Sequence, residues 1–217
     1  MNKKTHSPLW LIAVLLIFLP LFQTANASDA PDAVLQAQTT RVLAALKRNH
    51  GEILQHPEQL DEMVDRLIAP VIDFPAMSKL VLGKHWKKAT LRQRTAFQST
   101  FRSLLKNTYT KSLKEYAGQN IIYFPARTRI KGNYATVYSE FVPGNGRPNI
   151  PVIYKLRQTH NQWKAYNLIV QGLSFVANYR NDFNREIQAT SLDALIVRLG
   201  QQPAAPQVAG CATSNVC

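Results

Sequence analysis

The hydrophobic period of this chain changes twice, and those two changes constrain its fold more than anything else in it. Up to Gly118, apolar residues recur at helical spacing. From Ile121 to Val170 they recur with period two, and after Gly172 the helical spacing returns. In the first part Leu60, Met63, Val64, Leu67 and Ile68 fall at i, i+3, i+4, i+7 and i+8. Phe97, Phe101, Leu104, Leu105, Leu113 and Tyr116 form a longer stripe of the same kind. The middle part divides into four runs, Ile121–Pro125, Tyr134–Val142, Asn149–Arg157 and Gln162–Val170. Their connections, Gly132-Asn133, Pro143-Gly144-Asn145-Gly146 and His160-Asn161, are short and rich in turn residues. Parallel strands need crossovers of a dozen or more residues, so successive strands this close together pair antiparallel. The chain is therefore α+β: a curved antiparallel sheet of about four strands, with helices packed on one face.

Helix boundaries follow from local chemistry. A first helix runs from about Pro31 to His50 and carries Val34, Leu35, Val42, Leu43 and Leu46. Pro57 suits the opening turn of a second helix, which Pro70 stops. Asp73 is placed to cap a short helix bearing Met77, Leu80 and Val81, which Gly83 ends. Thr90 and Gln93 form a capping-box pattern before the longest helix, Leu91 to Ala117, with Gly118 as its stop. Two more helices close the domain, one with Phe175, Val176, Tyr179, Phe183 and Ile187, the other with Leu192, Leu195, Ile196 and Leu199.

Residues 1–27 read as an export signal: Lys3 and Lys4, an apolar run from Leu9 to Phe22, and the small-x-small site Ala25-Asn26-Ala27. The run is shorter than the ~20 residues that span a bilayer, and Pro20 interrupts it. The mature chain is expected to start at Ser28 and to work outside the reducing cytosol. Residues 28–200 then form one domain and 201–217 a flexible tail. That tail holds both cysteines, Cys211 and Cys217, after Pro203-Ala204-Ala205-Pro206. An oxidising compartment allows them to close a small loop or to bridge two chains.

Of the formal net charge of +13, only two units belong to the leader. Lys84, Lys87, Lys88, Arg92, Arg94, Arg102, Lys106, Lys111 and Lys114 crowd one stretch; Arg127, Arg129 and Lys131 form a second. Such a field favours acidic partners, either anionic headgroups or acidic protein faces. Export argues against nucleic acid.

Catalytic patterns fail residue by residue. His50, His56, His85 and His160 lack metal-ligand spacing, and no HExxH occurs. Gly83-Lys84 suggests a phosphate loop, but Ser78 stands in place of its first glycine and His85 in place of its Ser/Thr. Gly172-Leu173-Ser174 suggests a nucleophile elbow, but Val176 replaces the second glycine, so Ser174 reads as a helix N-cap. Glu140 is the one acid in the expected strands, without an acid or base partner. No metal, no cofactor and no enzymatic activity are expected.

Two segments carry a resemblance. The first is Leu82-Gly83-Lys84-His85-Trp86-Lys87-Lys88-Ala89-Thr90, continuing through Gln93-Arg94, Phe97, Phe101 and Tyr109. The second is Trp163-Lys164-Ala165-Tyr166-Asn167, then Gly172-Leu173-Ser174, then Asn178-Tyr179-Arg180 and Phe183. Together they resemble the MlaC family of periplasmic phospholipid-binding proteins, also called toluene-tolerance proteins, over roughly Val34 to Leu199. Asn167 departs from the aspartate of the family pattern, and the cysteine-bearing tail lies outside it.

The resemblance implies a monomeric carrier that holds a phospholipid as cargo in a deep apolar cavity between sheet and helices. Its implied partners are an outer-membrane lipoprotein–porin complex and an inner-membrane MCE-domain protein of an ABC transporter, and its implied role is to maintain outer-membrane lipid asymmetry. The residues offered to the lipid are Met77, Leu80, Phe101, Leu105 and Tyr109 from helices and Val137, Phe141, Val152, Tyr154, Tyr166 and Leu168 from the sheet, with Met77 and Leu80 at the mouth. Lys84, Lys87, Lys88, Arg92 and Arg94 are offered to the partners. Two readings compete: an exported α+β enzyme or binding protein for another apolar small molecule, and a structural adaptor with a filled core.

Overall fold

The computed structural model of the chain describes residues 30–113, 118–144 and 146–201. The leader, the end of the long helix near Ala117, and the tail with its two cysteines lie outside them. The first half is helical: α1 (Pro31–Arg48), α2 (His50–Gln55), α3 (Pro57–Met63), α4 (Phe74–Leu82), α5 (Lys84–Lys88) and α6 (Leu91–Leu113). The caps read from sequence form as expected. Asp73 Oδ1 accepts the Ala76 amide at 3.0 Å. The Thr90 amide donates to Gln93 Oε1 at 3.0 Å, while the Gln93 amide donates to Thr90 Oγ1 at 3.2 Å.

The second expected helix departs from regularity. It is α-helical only to Met63, widens into a π turn over Val64–Ile68, and tightens to a 3-10 turn over Ala69–Val71. Pro70 accounts for this, because it has no N–H and its ring collides with the carbonyl four residues back, so a regular α-helix cannot run through it. The π turn is tied to α6 through Asp65, which receives Lys106 at 2.6 Å and Arg102 at 3.1 Å. The Lys106 hydrogen bond, then that of Arg102, hold the Asp65 carboxyl below its usual range.

The sheet comprises β1 (Asn120–Tyr123), β2 (Arg129–Lys131), β3 (Tyr134–Val142), β4 (Ile150–Thr159), β5 (Gln162–Val170) and β6 (Leu173–Ser174). All pairs are antiparallel, in the order β1-β3-β4-β5-β6, with β2 also on β3. The sheet thus has six strands, larger than the four expected. β1 and β2 share one edge of β3, interrupted by a 3-10 turn at Pro125–Arg127. All three β2 residues are exposed and β6 has only two, so neither leaves an alternating signal. His160 and Asn161 both take positive φ, at 50° and 59°, which is the two-residue turn whose twist suits a hairpin. Helices α7 (Phe175–Ala189) and α8 (Leu192–Gln201) close the chain. Ser174 caps α7 by accepting the Ala177 amide at 3.2 Å.

Buried apolar residues separate into three clusters. A helical cluster joins α4, α6, α7 and α8 through Val81, Leu82, Phe97, Phe101, Tyr179, Phe183 and Leu195. A second places Leu35 of α1 on Ala135, Val137, Leu156 and Trp163 of the sheet. A third holds α1, α2 and α3 together through Ala45, Leu46, Ile53, Leu60 and Met63. Ser78 Oγ on α4 sits awkwardly among them, fully buried and with no hydrogen-bond partner among the described residues. Removing an unsatisfied buried hydroxyl and substituting the best helix former should stabilise the fold, so Ser78→Ala is expected to gain about 1 kcal/mol. The urea midpoint of the variant checks this, and a lower midpoint would mean that Ser78 is bonded in solution.

Candidate functional site

Strand register assigns every sheet side chain to one of two faces. Ala135, Val137, Ser139 and Phe141 of β3 stand opposite Leu156, Tyr154, Val152 and Ile150 of β4. Tyr154 and Val152 in turn face Leu168 and Val170 of β5. This is the inner face, since its Ala135, Val137 and Leu156 meet Leu35 of α1. The alternate residues Tyr134, Thr136, Tyr138 and Glu140 form the outer face.

Helix α1 covers only one end of the inner face. A polar seam fastens it there: the Thr39 and Tyr123 hydroxyls lie 2.6 Å apart, and the Tyr123 ring stacks on Tyr154 at 6.1 Å. Burial pushes both phenols above their usual range, so both hydroxyls are neutral donors and acceptors. Beyond that seam the inner face continues with Phe141, Ile150, Leu168 and Val170, all half-buried. Val152 beside them is buried but joins none of the three clusters. On the helical side Leu105 and Phe175 are partly buried against the helical cluster. Tyr109 packs on Phe175 at 5.1 Å, and its hydroxyl lies 3.3 Å from that of Tyr179. Apolar side chains that a filled core would bury completely therefore keep part of their surface free, on both sheet and helices.

Other residues offered to the lipid take different places. Phe101 is fully buried in the helical cluster, stacked on Phe97 at 5.5 Å and edge-on to Tyr179 at 5.3 Å. Val137 is fully buried beneath α1, and Met77 is 7 % exposed in the helical cluster. Leu80 is exposed. Tyr166 is corrected: it belongs to the outer face. A register shift between Lys155 and Leu156 sets Asn167 and Ala165 opposite them and leaves Tyr166 as the extra residue. Its ring then meets Tyr134 edge-on at 6.1 Å. A bulge of this kind inverts the alternation that sequence reading relies on.

The basic stretch also divides. Lys84, Lys87 and Lys88 on α5 and Arg92 on α6 are exposed, and none pairs with a described acid. Arg94 is instead turned inward: its Nε donates to the Trp86 carbonyl at 3.0 Å and its guanidinium lies 5.2 Å from the Trp86 ring centre. It clamps α5 onto α6. Among the described residues no three His, Cys, Asp or Glu side chains gather to hold a metal, and no helix is long and apolar enough to cross a membrane.

The two signature segments meet one another. Gly83 takes φ +52°, and a Cβ there would lie 3.5 Å from the Arg180 side chain, whose Nε donates to the Leu80 carbonyl at 2.7 Å. His85 bonds Asn184 at 2.9 Å, and Phe97 meets Phe183 edge-on at 5.9 Å. Asn167 Oδ1 accepts the Val176 amide at 3.1 Å, and its amide donates to Ser174 Oγ at 2.9 Å, so it shares the capping of α7. Asn167 thus has a place without any cation. A family model described as MlaC protein matches residues 36–201 of this chain. The chain belongs to the MlaC family. Its residues are 32% identical over 183 positions to toluene tolerance protein ttg2D of Pseudomonas putida, spanning 84% of this chain and 83% of that one. They are 24% identical over 195 positions to the intermembrane phospholipid transport system binding protein MlaC of Haemophilus influenzae, spanning 89% and 91%. The phospholipid-binding protein of Ralstonia solanacearum, solved in complex with a phospholipid, superposes with a TM-score of 0.71 at 26% identity, over 80% of this chain and 96% of that one. Seen on this fold, Gly83, His85, Trp86, Arg94, Phe97, Arg180 and Phe183 of the MlaC pattern are scaffold: they lock α4, α5, α6 and α7 together.

Proposed function

We propose that this chain is a periplasmic carrier that takes up a phospholipid by its acyl tails and passes it between membrane-bound transport complexes. The observation that carries the reading is the set of half-buried apolar side chains on the inner face of the sheet and on α6 and α7, together with the likeness to a phospholipid-binding protein solved in complex with a phospholipid. Leu105 and Tyr109 on one side and Phe141, Val152, Tyr154 and Leu168 on the other are the residues assigned to the tails. Phe101, Val137 and Met77 back that wall as core. Residues 1–27, which read as an export signal, support the periplasm as its compartment.

Magnitudes shape the mechanism. Each buried CH₂ is worth about 0.8 kcal/mol, so two tails of roughly thirty methylenes gain on the order of 24 kcal/mol against water. A bilayer offers nearly the same gain. The tails therefore set no direction, and the barrier to transfer is their passage through water. A docked partner lowers that barrier by joining its own apolar path to the wall. Net direction comes from the partners, an ATP-driven MCE-domain transporter at the inner membrane and a lipoprotein–porin complex at the outer.

Organic extraction of the purified exported protein, followed by mass spectrometry, tests the reading. Phospholipid should appear at close to one molecule per chain; protein that is folded but free of lipid would favour the adaptor or the enzyme. Docking has its own test. Individual exposed charge pairs give about 0–1 kcal/mol, so only a cluster can steer. Reversing Lys84, Lys87 and Lys88 to Glu together is expected to slow lipid transfer to purified partner proteins at low salt while leaving bound lipid intact. Unchanged transfer would leave these lysines with solubility alone.

A further inference from the structure

The outer face of the sheet carries a second basic surface that the carrier reading does not use. Strand register lines its residues up in two rows. One runs Arg129, Thr136, Lys155, Asn167 across β2, β3, β4 and β5. The next runs Lys131, Tyr134, Arg157, Lys164. Five of these eight residues are cations and none is an acid. Arg157 and Lys164 are direct partners, an arrangement that costs stability unless something negative sits nearby. Asp73 answers Arg157, at 2.7 Å, and Lys155 spends its ammonium on the Thr136 hydroxyl at 3.0 Å. Arg129, Lys131 and Lys164 have no ion pair with any described residue. Tyr134 stands among them 52% exposed, braced edge-on by Tyr166. Arg127 extends the basic surface from the neighbouring turn, its guanidinium 4.8 Å from the Tyr138 ring centre.

We propose that this face docks directly on an anionic bilayer surface. Unpaired cations recognise acidic headgroups. An exposed phenol, apolar in its ring and polar at its tip, suits the headgroup level where tyrosines gather. The surface lies on the opposite side of the sheet from the wall assigned to lipid tails, so it would hold the carrier at a membrane without occupying that wall.

The test uses the exported, lipid-loaded protein and sedimentation with vesicles of phosphatidylcholine, with and without one third phosphatidylglycerol. The protein should partition onto the anionic vesicles, bind the zwitterionic ones weakly, and come off as salt shortens the screening length. Each cation near an anionic surface is worth roughly a fivefold gain in partitioning. The triple variant Arg129→Gln, Lys131→Gln, Lys164→Gln should therefore lose about a hundredfold, with its extracted phospholipid unchanged. Tyr134→Ala should weaken partitioning further, and the Lys84, Lys87, Lys88 reversal should leave most of it. No partitioning by the parent protein, or equal partitioning by the triple variant, overturns the proposal. If the triple variant slows transfer to a purified protein acceptor but binds vesicles normally, the face reads an acidic protein and the bilayer assignment is wrong. Because lipid content is measured in every arm, failure of the docking proposal is distinguishable from failure of the carrier reading.

Discussion

Val152→Trp is expected to give a folded protein that carries little lipid. Val152 projects from the inner face of β4 opposite Ser139 and Val170, and it is 7% exposed although it joins none of the three buried clusters. What surrounds it is half-buried wall, including Phe141, Leu168 and Val170. Small-to-large changes in a close-packed core force neighbours off their rotamers and cost about 1–3 kcal/mol. Against a half-buried wall the indole can spread over partly exposed apolar surface instead, so the cost should stay below about 1 kcal/mol. The ring then stands where tails would lie. Phospholipid extracted per chain should fall several-fold while the thermal midpoint of the emptied protein barely moves. Leu105→Trp approaches the same space from α6 and should act alike. Variants that lose several degrees and keep their lipid would assign both positions to core and remove them from the site.

Asp73→Ala is expected to cause the largest loss of stability. This residue is 4% exposed and works in three ways. It caps α4 through Ala76. Its other oxygen accepts Arg157 Nε at 2.9 Å and Nη2 at 2.7 Å. Its amide donates to the Ala165 carbonyl at 2.8 Å, next to the bridge between Ile72 and Ala165, which ties the start of α4 to the edge of β5. Losing the cap costs about 1 kcal/mol. Leaving Arg157 unpaired costs about 1–2 kcal/mol more, well below the figure for a fully buried pair because that side chain remains partly in water. A total near 2–3 kcal/mol should appear in urea unfolding, with Asp73→Asn near half of it because an asparagine still caps. Equal losses for the two variants would show that the cap contributes nothing and the ion pair everything.

What could be read from the sequence and what could not divide along physical lines. The capping residues Asp73, Thr90, Gln93 and Ser174 were legible because capping is a local act between residues three apart. Strands β1, β3, β4 and β5 are legible because one face of each is wetter than the other. Strand β2 was not, since all three of its residues are exposed and nothing alternates. Strict alternation sets Tyr166 on the inner face; one extra residue opposite Lys155 and Leu156 reverses the count, and no local residue marks that bulge. Arg94 counted as free charge because its Trp86 partner is set by the packing of α5 on α6. The seam of Thr39, Tyr123 and Tyr154 joins residues 84 and 31 positions apart, and no spacing rule reaches across that distance.

The three separate clusters bear on how the molecule unfolds. Domains with one continuous interior tend to melt as a unit, whereas interiors that meet only along partly open surfaces open in stages of different free energy. Here α6, α7 and α8 share one interior, while the sheet shares another with α1. Cargo lying between them would act as mortar, adding contacts that span both. Amide exchange should therefore resolve two sets of protected protons in the emptied protein and merge them when lipid is bound. If the chain is a carrier, it should loosen on delivery and stiffen on loading, so that its rigidity would itself report its cargo.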